Sequence, residues 1–285
     1  MEGAKLKNII IIILLLLNLF LLLLVGSRRL EDVQSVESAR KSAIEVLRAG
    51  GVSVADEVVP HSMTLRPAQA ERDLAREQAL AAVLLGGAVK VEARGGEVYR
   101  YSNANGQVQF HSTGEFWAQF ESQLYPLSGR TAREHGAWVL SRLEVDSAVL
   151  EDGVEQGNGQ ITFRQTVDGA PVLDCQATLH YADGKLTRIS NARWVVGRPS
   201  FSDETANVTV ATALVRLLNA MKELGDVYNR VDAITPSYTL AVTMSGPARL
   251  NPVWHVRTDT GEYQLDPVTG ALSRWDGAAA MVLAD

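Results

Sequence analysis

The run from Ile9 to Val25, IIIIILLLLNLFLLLLV, constrains this chain more than any other stretch. Every side chain in it is apolar except Asn18. At 1.5 Å per residue a helix over 9–25 spans roughly 26 Å, close to the ~30 Å hydrocarbon core of a bilayer. The run therefore predicts a single transmembrane anchor. A cleaved leader would have a shorter apolar stretch and a small-x-small cleavage site, and Val25-Gly26-Ser27-Arg28-Arg29 offers none. Lys5 and Lys7 precede the run and Arg28 and Arg29 follow it, so the flanking charges nearly balance. A short segment ahead of a first apolar run stays inside. The expectation is a cytoplasmic N-terminus over 1–8, a single-pass cell-membrane protein, and an extracytoplasmic remainder.

Asn18 is tolerable in lipid as a neutral amide. It could equally hydrogen-bond a partner's transmembrane helix, a contact worth about 0.6–2 kcal/mol. In that second case Ile11, Leu14, Leu15, Leu21, Leu22 and Val25 lie on the same side of the helix by three-, four- and seven-residue spacing.

The rest of the chain reads as an α+β fold. With 27 basic and 33 acidic residues the net charge is −6, which argues against a nucleic-acid partner. Cys175 is the one cysteine, so no intramolecular disulfide can form and stability rests on a hydrophobic core.

A helix is predicted over 31–49, stopped by Gly50-Gly51, and another over 68–85, stopped by Gly86-Gly87. Three short strands follow over 89–93, 97–102 and 107–112, with Gly and Asn turns between them. The stretch 115–124 fits a strand or a short helix. Thr131-Ala132-Arg133-Glu134 is a capping box opening a helix to Leu143. Beyond it, alternation dominates. Leu173, Cys175, Ala177, Leu179 and Tyr181 share one strand face, and Asp174, Gln176, Thr178 and His180 share the other. Asp168-Gly169 and Asp183-Gly184 are hairpin turns on either side of that strand. A last helix over 209–224 precedes four strands, over 238–244, 252–257, 262–265 and 272–275. The repeated helix-then-meander order predicts two lobes of antiparallel meanders, each covered by helices, over 26–127 and 128–285.

Chemistry is hard to find. His61, His111, His135, His180 and His255 form no helical pair, and no H-E-x-x-H, G-x-S-x-G, Walker A or G-x-G-x-x-G run is present. Cys175 and His180 fall on opposite faces of one strand, so Cys175 reads as a small core side chain. Trp194, Trp254, Tyr263 and Trp275 suit core filling more than the lining of a groove. The reading is of a non-enzyme that needs no cofactor and no metal.

Several stretches look familiar together. The start EGAKLKNIIIIILLLLNLFLLL, the helix ending at Gly50-Gly51-Val52, Val59-Pro60 and Glu71-Arg72-Asp73 are four of them. Others are Leu84-Leu85-Gly86, Tyr99-Arg100-Tyr101-Ser102 with Asn105-Gly106, and Ser112-Thr113-Gly114-Glu115-Phe116. In this order they resemble the YycI (WalI) family of two-component-system regulatory proteins. The stretch Pro252-Val253-Trp254-His255-Val256 with Tyr263 to Gly270 is similar to a PepSY-type strand–turn–strand, and the related YycH proteins carry comparable lobes. The tail from Gly277 to Asp285 has no counterpart in that pattern. The resemblance implies an accessory regulator of a sensor histidine kinase of the WalK (YycG) type in cell-wall homeostasis. It would work through transmembrane-helix contacts with the kinase and a YycH-like partner. The alternative is a binding module for a peptide or cell-wall fragment, or a PepSY-type protease inhibitor.

Overall fold

The computed structural model describes residues 35–61, 65–121, 124–195, 199–203, 209–224, 228–242 and 246–275. Helix α1 covers 35–49. Strands β1 (Ser53–Val54) and β2 (Ala68–Ala70) follow, then α2 (Leu74–Leu84). Next come β3 (Lys90–Gly95), β4 (Val98–Asn103), β5 (Gly106–His111) and β6 (Glu115–Phe120), then α3 (Ala132–Ser141). The meander β7 (Asp146–Asp152), β8 (Gly159–Val167), β9 (Ala170–Ala182) and β10 (Lys185–Arg193) leads to β11 (Ser200–Phe201) and α4 (Val210–Leu224). The chain closes with β12 (Arg230–Ala241), β13 (Ala248–Thr258), β14 (Glu262–Leu265) and β15 (Leu272–Arg274).

These strands make two halves. In the middle half the order is β3-β4-β5-β6-β10-β9-β8-β7, antiparallel throughout. In the terminal half the order is β11-β2-β13-β12, with β14 and β15 added at β13 and β1 added in parallel at β12. The halves join where Val172 of β9 pairs in parallel with Tyr238 of β12.

Alternation decides which face is covered. In the middle half Tyr101, Val108, Phe110, Phe116, Ala118, Ile161, Phe163, Leu179 and Ile189 point to one side and form a core with α2 and α3. Helix α3 contributes Val139 and Leu140, and Gly136 lets it lie flat: a Cβ there would stand 2.5 Å from Phe163 Cε2. In the terminal half α1 gives Ala43, Ile44 and Leu47, and α4 gives Val210, Ala213, Leu214 and Leu217, against Trp254, Val256 and Tyr263. Buried Arg40 ties α1 down by donating to the carbonyls of Asp56 at 3.0 Å and Val59 at 3.1 Å. A third core fills the seam with Val172, Cys175, Val195, Tyr238, Leu240 and Leu250.

Two expectations are corrected here. The antiparallel two-lobe arrangement gives way to mixed pairing. Parallel contacts at β1–β12 and β9–β12 link the sheets. The transmembrane helix, and with it the single-pass cell-membrane location, is corrected too. Among the described residues no helix is long and apolar enough to cross a membrane. The described helices are amphipathic and lay one apolar face on a sheet. The stretch 9–25, with Asn18, Ile11, Leu14, Leu15, Leu21, Leu22 and Val25, lies outside the described residues.

Smaller differences have local causes. Residues 68–70 form a strand, because Ala68 and Ala70 pair with Leu250 and Ala248 of β13. The helix begins only after Asp73, whose carboxylate accepts from the N–H groups of Ala75 and Arg76. The ambiguous 115–124 stretch is strand over Glu115–Phe120. The capping box at Thr131 and Glu134 forms as expected.

Candidate functional site

The helices leave the opposite face of the sheet uncovered by any helix, and polar side chains predominate on it. Its centre comes from β8, β9 and β10. Thr162, Arg164, Gln176, Thr178, His180, Arg188 and Ser190 all take the register that points away from α3. Across the seam Thr235, Ser237, His255, Arg257, Glu262 and Gln264 continue it on β12, β13 and β14. The even-numbered polar series Asp174, Gln176, Thr178 and His180 was visible in the sequence. Its neighbours were not, because they come from strands far away along the chain.

The polar groups are bonded to one another across strands. Thr162 and Thr178 hydroxyls are 3.2 Å apart, and His180 Nε2 is 2.6 Å from Ser190 Oγ. Asp174 Oδ2 accepts from the N–H of Leu240 at 2.6 Å, so a side chain completes the ladder where β9 meets β12. Burial pushes the Asp174 carboxyl up, and the Leu240 N–H, Arg193 and Arg164 draw it back. Burial lowers the Arg164 guanidinium, and Glu262 and Asp174 oppose that. His255 Nε2 meets Glu262 Oε2 at 3.0 Å; burial depresses the imidazole and Glu262 resists. Burial lowers His180 as well, with Arg188 adding to it. These are the features of a preformed, hydrogen-bonded layer in which buried hydroxyls hold the partly exposed cations and carboxylates side by side. Such a surface suits recognition of a polar partner.

Gln165 locks the edge of this face. Its amide donates to Val195 O at 3.2 Å and accepts from Val195 N at 2.9 Å, standing in for a strand neighbour. The other residues singled out in the sequence fall elsewhere. Cys175 is fully buried in the seam core, where burial pushes its thiol far up and leaves it no nucleophilic role. His180 faces the other way, toward Ser190. Trp194, Trp254 and Tyr263 are each 1% exposed and serve as core. Among the described residues no group of three or more His, Cys, Asp and Glu side chains is placed to hold a metal ion.

Comparison with known proteins bears on this same stretch. Residues 149–192 match the family model of the Fungalysin/Thermolysin Propeptide Motif. The matched residues run from β7 through β8 and β9 to β10, the strands at the centre of the open face. No curated protein matches the chain. A crystal structure of an uncharacterized protein from Eubacterium rectale ATCC 33656 is similar at a TM-score of 0.47 and 14% identity, over 75% of this chain and 86% of that one. The functional expectation is thereby corrected. An accessory regulator of a sensor kinase was to act through a transmembrane helix, and no such helix is found among the described residues. The motif that does match is one of peptidase propeptides.

Proposed function

We propose that this chain is a non-catalytic binding module of the peptidase-propeptide type, which docks on a peptidase through the open face of its β7–β10 meander. The observation that carries the reading is the motif match over 149–192. Its strands have one face filled by α3 and the other turned away from it, with Arg188 exposed and Arg164, Gln176 and His180 half-buried. With the neighbouring strands β3 to β6 the meander belongs to an eight-stranded half, which at ~4.8 Å per strand is roughly 34 Å across. That suffices for the roughly 800 Å² per partner of a specific protein–protein contact. Cross-strand hydrogen bonds hold the surface in shape, which reduces the ordering cost of association.

The test is direct. The full-length chain is titrated into assays of thermolysin and of a fungalysin, with complex formation followed by surface plasmon resonance. Saturable inhibition is expected, weakened at least about ten-fold, or about 1.4 kcal/mol, by Arg188→Glu on the exposed part of the face. Absence of a complex with both peptidases sinks the reading, as does inhibition that Arg188→Glu combined with His180→Ala leaves untouched.

A further inference from the structure

Strands β12 and β13 each carry a proline in mid-strand, Pro236 and Pro252, although proline belongs at sheet edges. The pairing shows why both are tolerated. Leu240 N–H points away from β13, toward Asp174, so Leu240 and Leu250 form a pair without mutual main-chain bonds. Pairs alternate along an antiparallel ladder, so Tyr238–Pro252 and Pro236–Trp254 are of the same kind. Pro252 thus turns its nitrogen and its carbonyl away from β12. On that outer side β13 pairs with β2 through Ala248–Leu250 and with β14 through Trp254–Arg257. Among the described residues no strand pairs with Asn251, Pro252 or Val253 on that side.

A cavity of about 480 Å³ opens at this gap. Thr239, Asn251 and Ser273 bring hydroxyl and amide groups to its lining. Pro67, Pro252 and Pro267 line it and none has a main-chain N–H. Gln264 Oε1 is buried there with no hydrogen-bond partner. Asp266, which lines the cavity, accepts through Oδ1 from Val268 N at 2.7 Å and Thr269 N at 3.1 Å, which closes the turn. Arg216 is committed behind the loop, donating to the carbonyls of Pro267 and Val268 at 3.1 Å each. The walls between these acceptors are apolar: Val253 from the sheet and Val268, 69% exposed, from the loop.

We propose that this notch holds a basic side chain of an extended peptide, a lysine or arginine whose apolar stem lies between Val253 and Val268 and whose cation reaches Gln264 Oε1 and Asp266. The unpartnered amide oxygen and the carboxylate, set beside apolar walls, complement that side chain in both charge and stem. The gap in the β13 ladder adds the Pro252 carbonyl as an acceptor for the peptide's own N–H. The site lies outside 149–192 and stands or falls independently of the propeptide reading.

The full-length chain is titrated calorimetrically with acetyl-Gly-Val-Lys-Val-Gly-amide and with its arginine, norleucine and glutamate counterparts. The lysine or arginine peptide is expected to bind at least about ten-fold more tightly than the norleucine one, equivalent to about 1.4 kcal/mol, with the glutamate peptide weakest. Asp266→Asn keeps Oδ1 and its turn, and Gln264→Leu keeps the side-chain volume; each should remove most of the preference at an unchanged thermal midpoint. Arg188→Glu, on β10, should leave it intact. Equal binding of lysine and norleucine peptides, no binding of any of the four, or a preference that survives both substitutions overturns the proposal. If Asp266→Asn does not fold, Gln264→Leu decides alone. Peptidase inhibition without lysine preference sinks this site and leaves the propeptide reading; the reverse result does the opposite.

Discussion

The two halves solve the same packing problem with different chain economy. The middle half is built from one contiguous stretch, α2 to β10, and its strands pair mostly with sequence neighbours. The terminal half is assembled from segments far apart: Ser53 beside Arg230, Gln69 between Ser200 and Arg249. Both end with two helices on one face of a sheet and a polar face opposite. Local pairing and long-range pairing therefore reach one architecture, and only the first leaves a trail in the sequence.

The seam core packs residues of both halves together and should make them unfold as one unit. Phe163 anchors the middle core and Trp254 the terminal one. Truncating either, as Phe163→Ala or Trp254→Ala, should cost about 3–5 kcal/mol. With Val172, Cys175, Tyr238 and Leu250 packed between the halves, both variants should shift one shared urea transition followed by circular dichroism. Two separated transitions, each moved by only one of the variants, break the comparison at its root.

A second contrast lies in the buried histidines. His135 sits on α3 with Nδ1 bonded to Tyr181 Oη at 2.9 Å and Nε2 without a partner. Burial, with Arg130 adding to it, lowers its pKa from 6.5 to about 4. The unfolded chain binds this proton more readily than the folded one, so stability is full above pH 6.5 and is lost as pH falls toward 4. The loss reaches about 3 kcal/mol at about 1.4 kcal/mol per pH unit. His255 in the terminal half has Glu262 to offset its burial, so its slope should be shallower. Urea midpoints between pH 7 and pH 4 should flatten more in His135→Gln than in His255→Gln. The opposite order would place the acid-sensitive point in the wrong half.

The smallest effect compares helix starts. Thr131 opens α3 with a full capping box, and Thr209 opens α4 with its hydroxyl bonded to the Thr212 N–H at 3.3 Å and the Thr212 hydroxyl at 3.0 Å. Thr131→Ala should cost about 1 kcal/mol and Thr209→Ala less, both read from denaturation midpoints. Equal costs would show that the reciprocal Glu134 bond adds nothing.

What could be read in advance follows this division. The Asp168-Gly169 and Asp183-Gly184 hairpins take the left-handed backbone their residues favour, with φ of 51° and 77° in the first and 50° and 70° in the second. The strict alternation over Leu173–Tyr181 assigned both faces of β9, and Thr131 with Glu134 marked α3. The first half of β12 was missed because Pro236 reads as a breaker until the missing neighbour is known. Ala68–Ala70 was read as helix because only β13 makes it a strand. The open face was half legible: Asp174 to His180 declared themselves, but Arg164, Glu262 and Gln264 have no local signal. They meet only when the seam closes. The long apolar run stands out in the sequence because a hydropathy signal is local by nature, whereas the pairing of β9 with β12 is not.

The parallel pair of Ser53 and Val54 with Arg230 and Val231 has a consequence in time. During synthesis β1 emerges early and has no partner until nearly the whole chain has been made. The middle half can close meanwhile from its own hairpins, at the cost of small loops only. It then waits as a finished template; the late strand β12 must lay one edge along both β1 and β9, and β13 must enter between β12 and β2 to complete the sheet. The edge of β9 at Val172 is the landing strip for that last step, with the Asp174 carboxylate already in place to receive the Leu240 N–H.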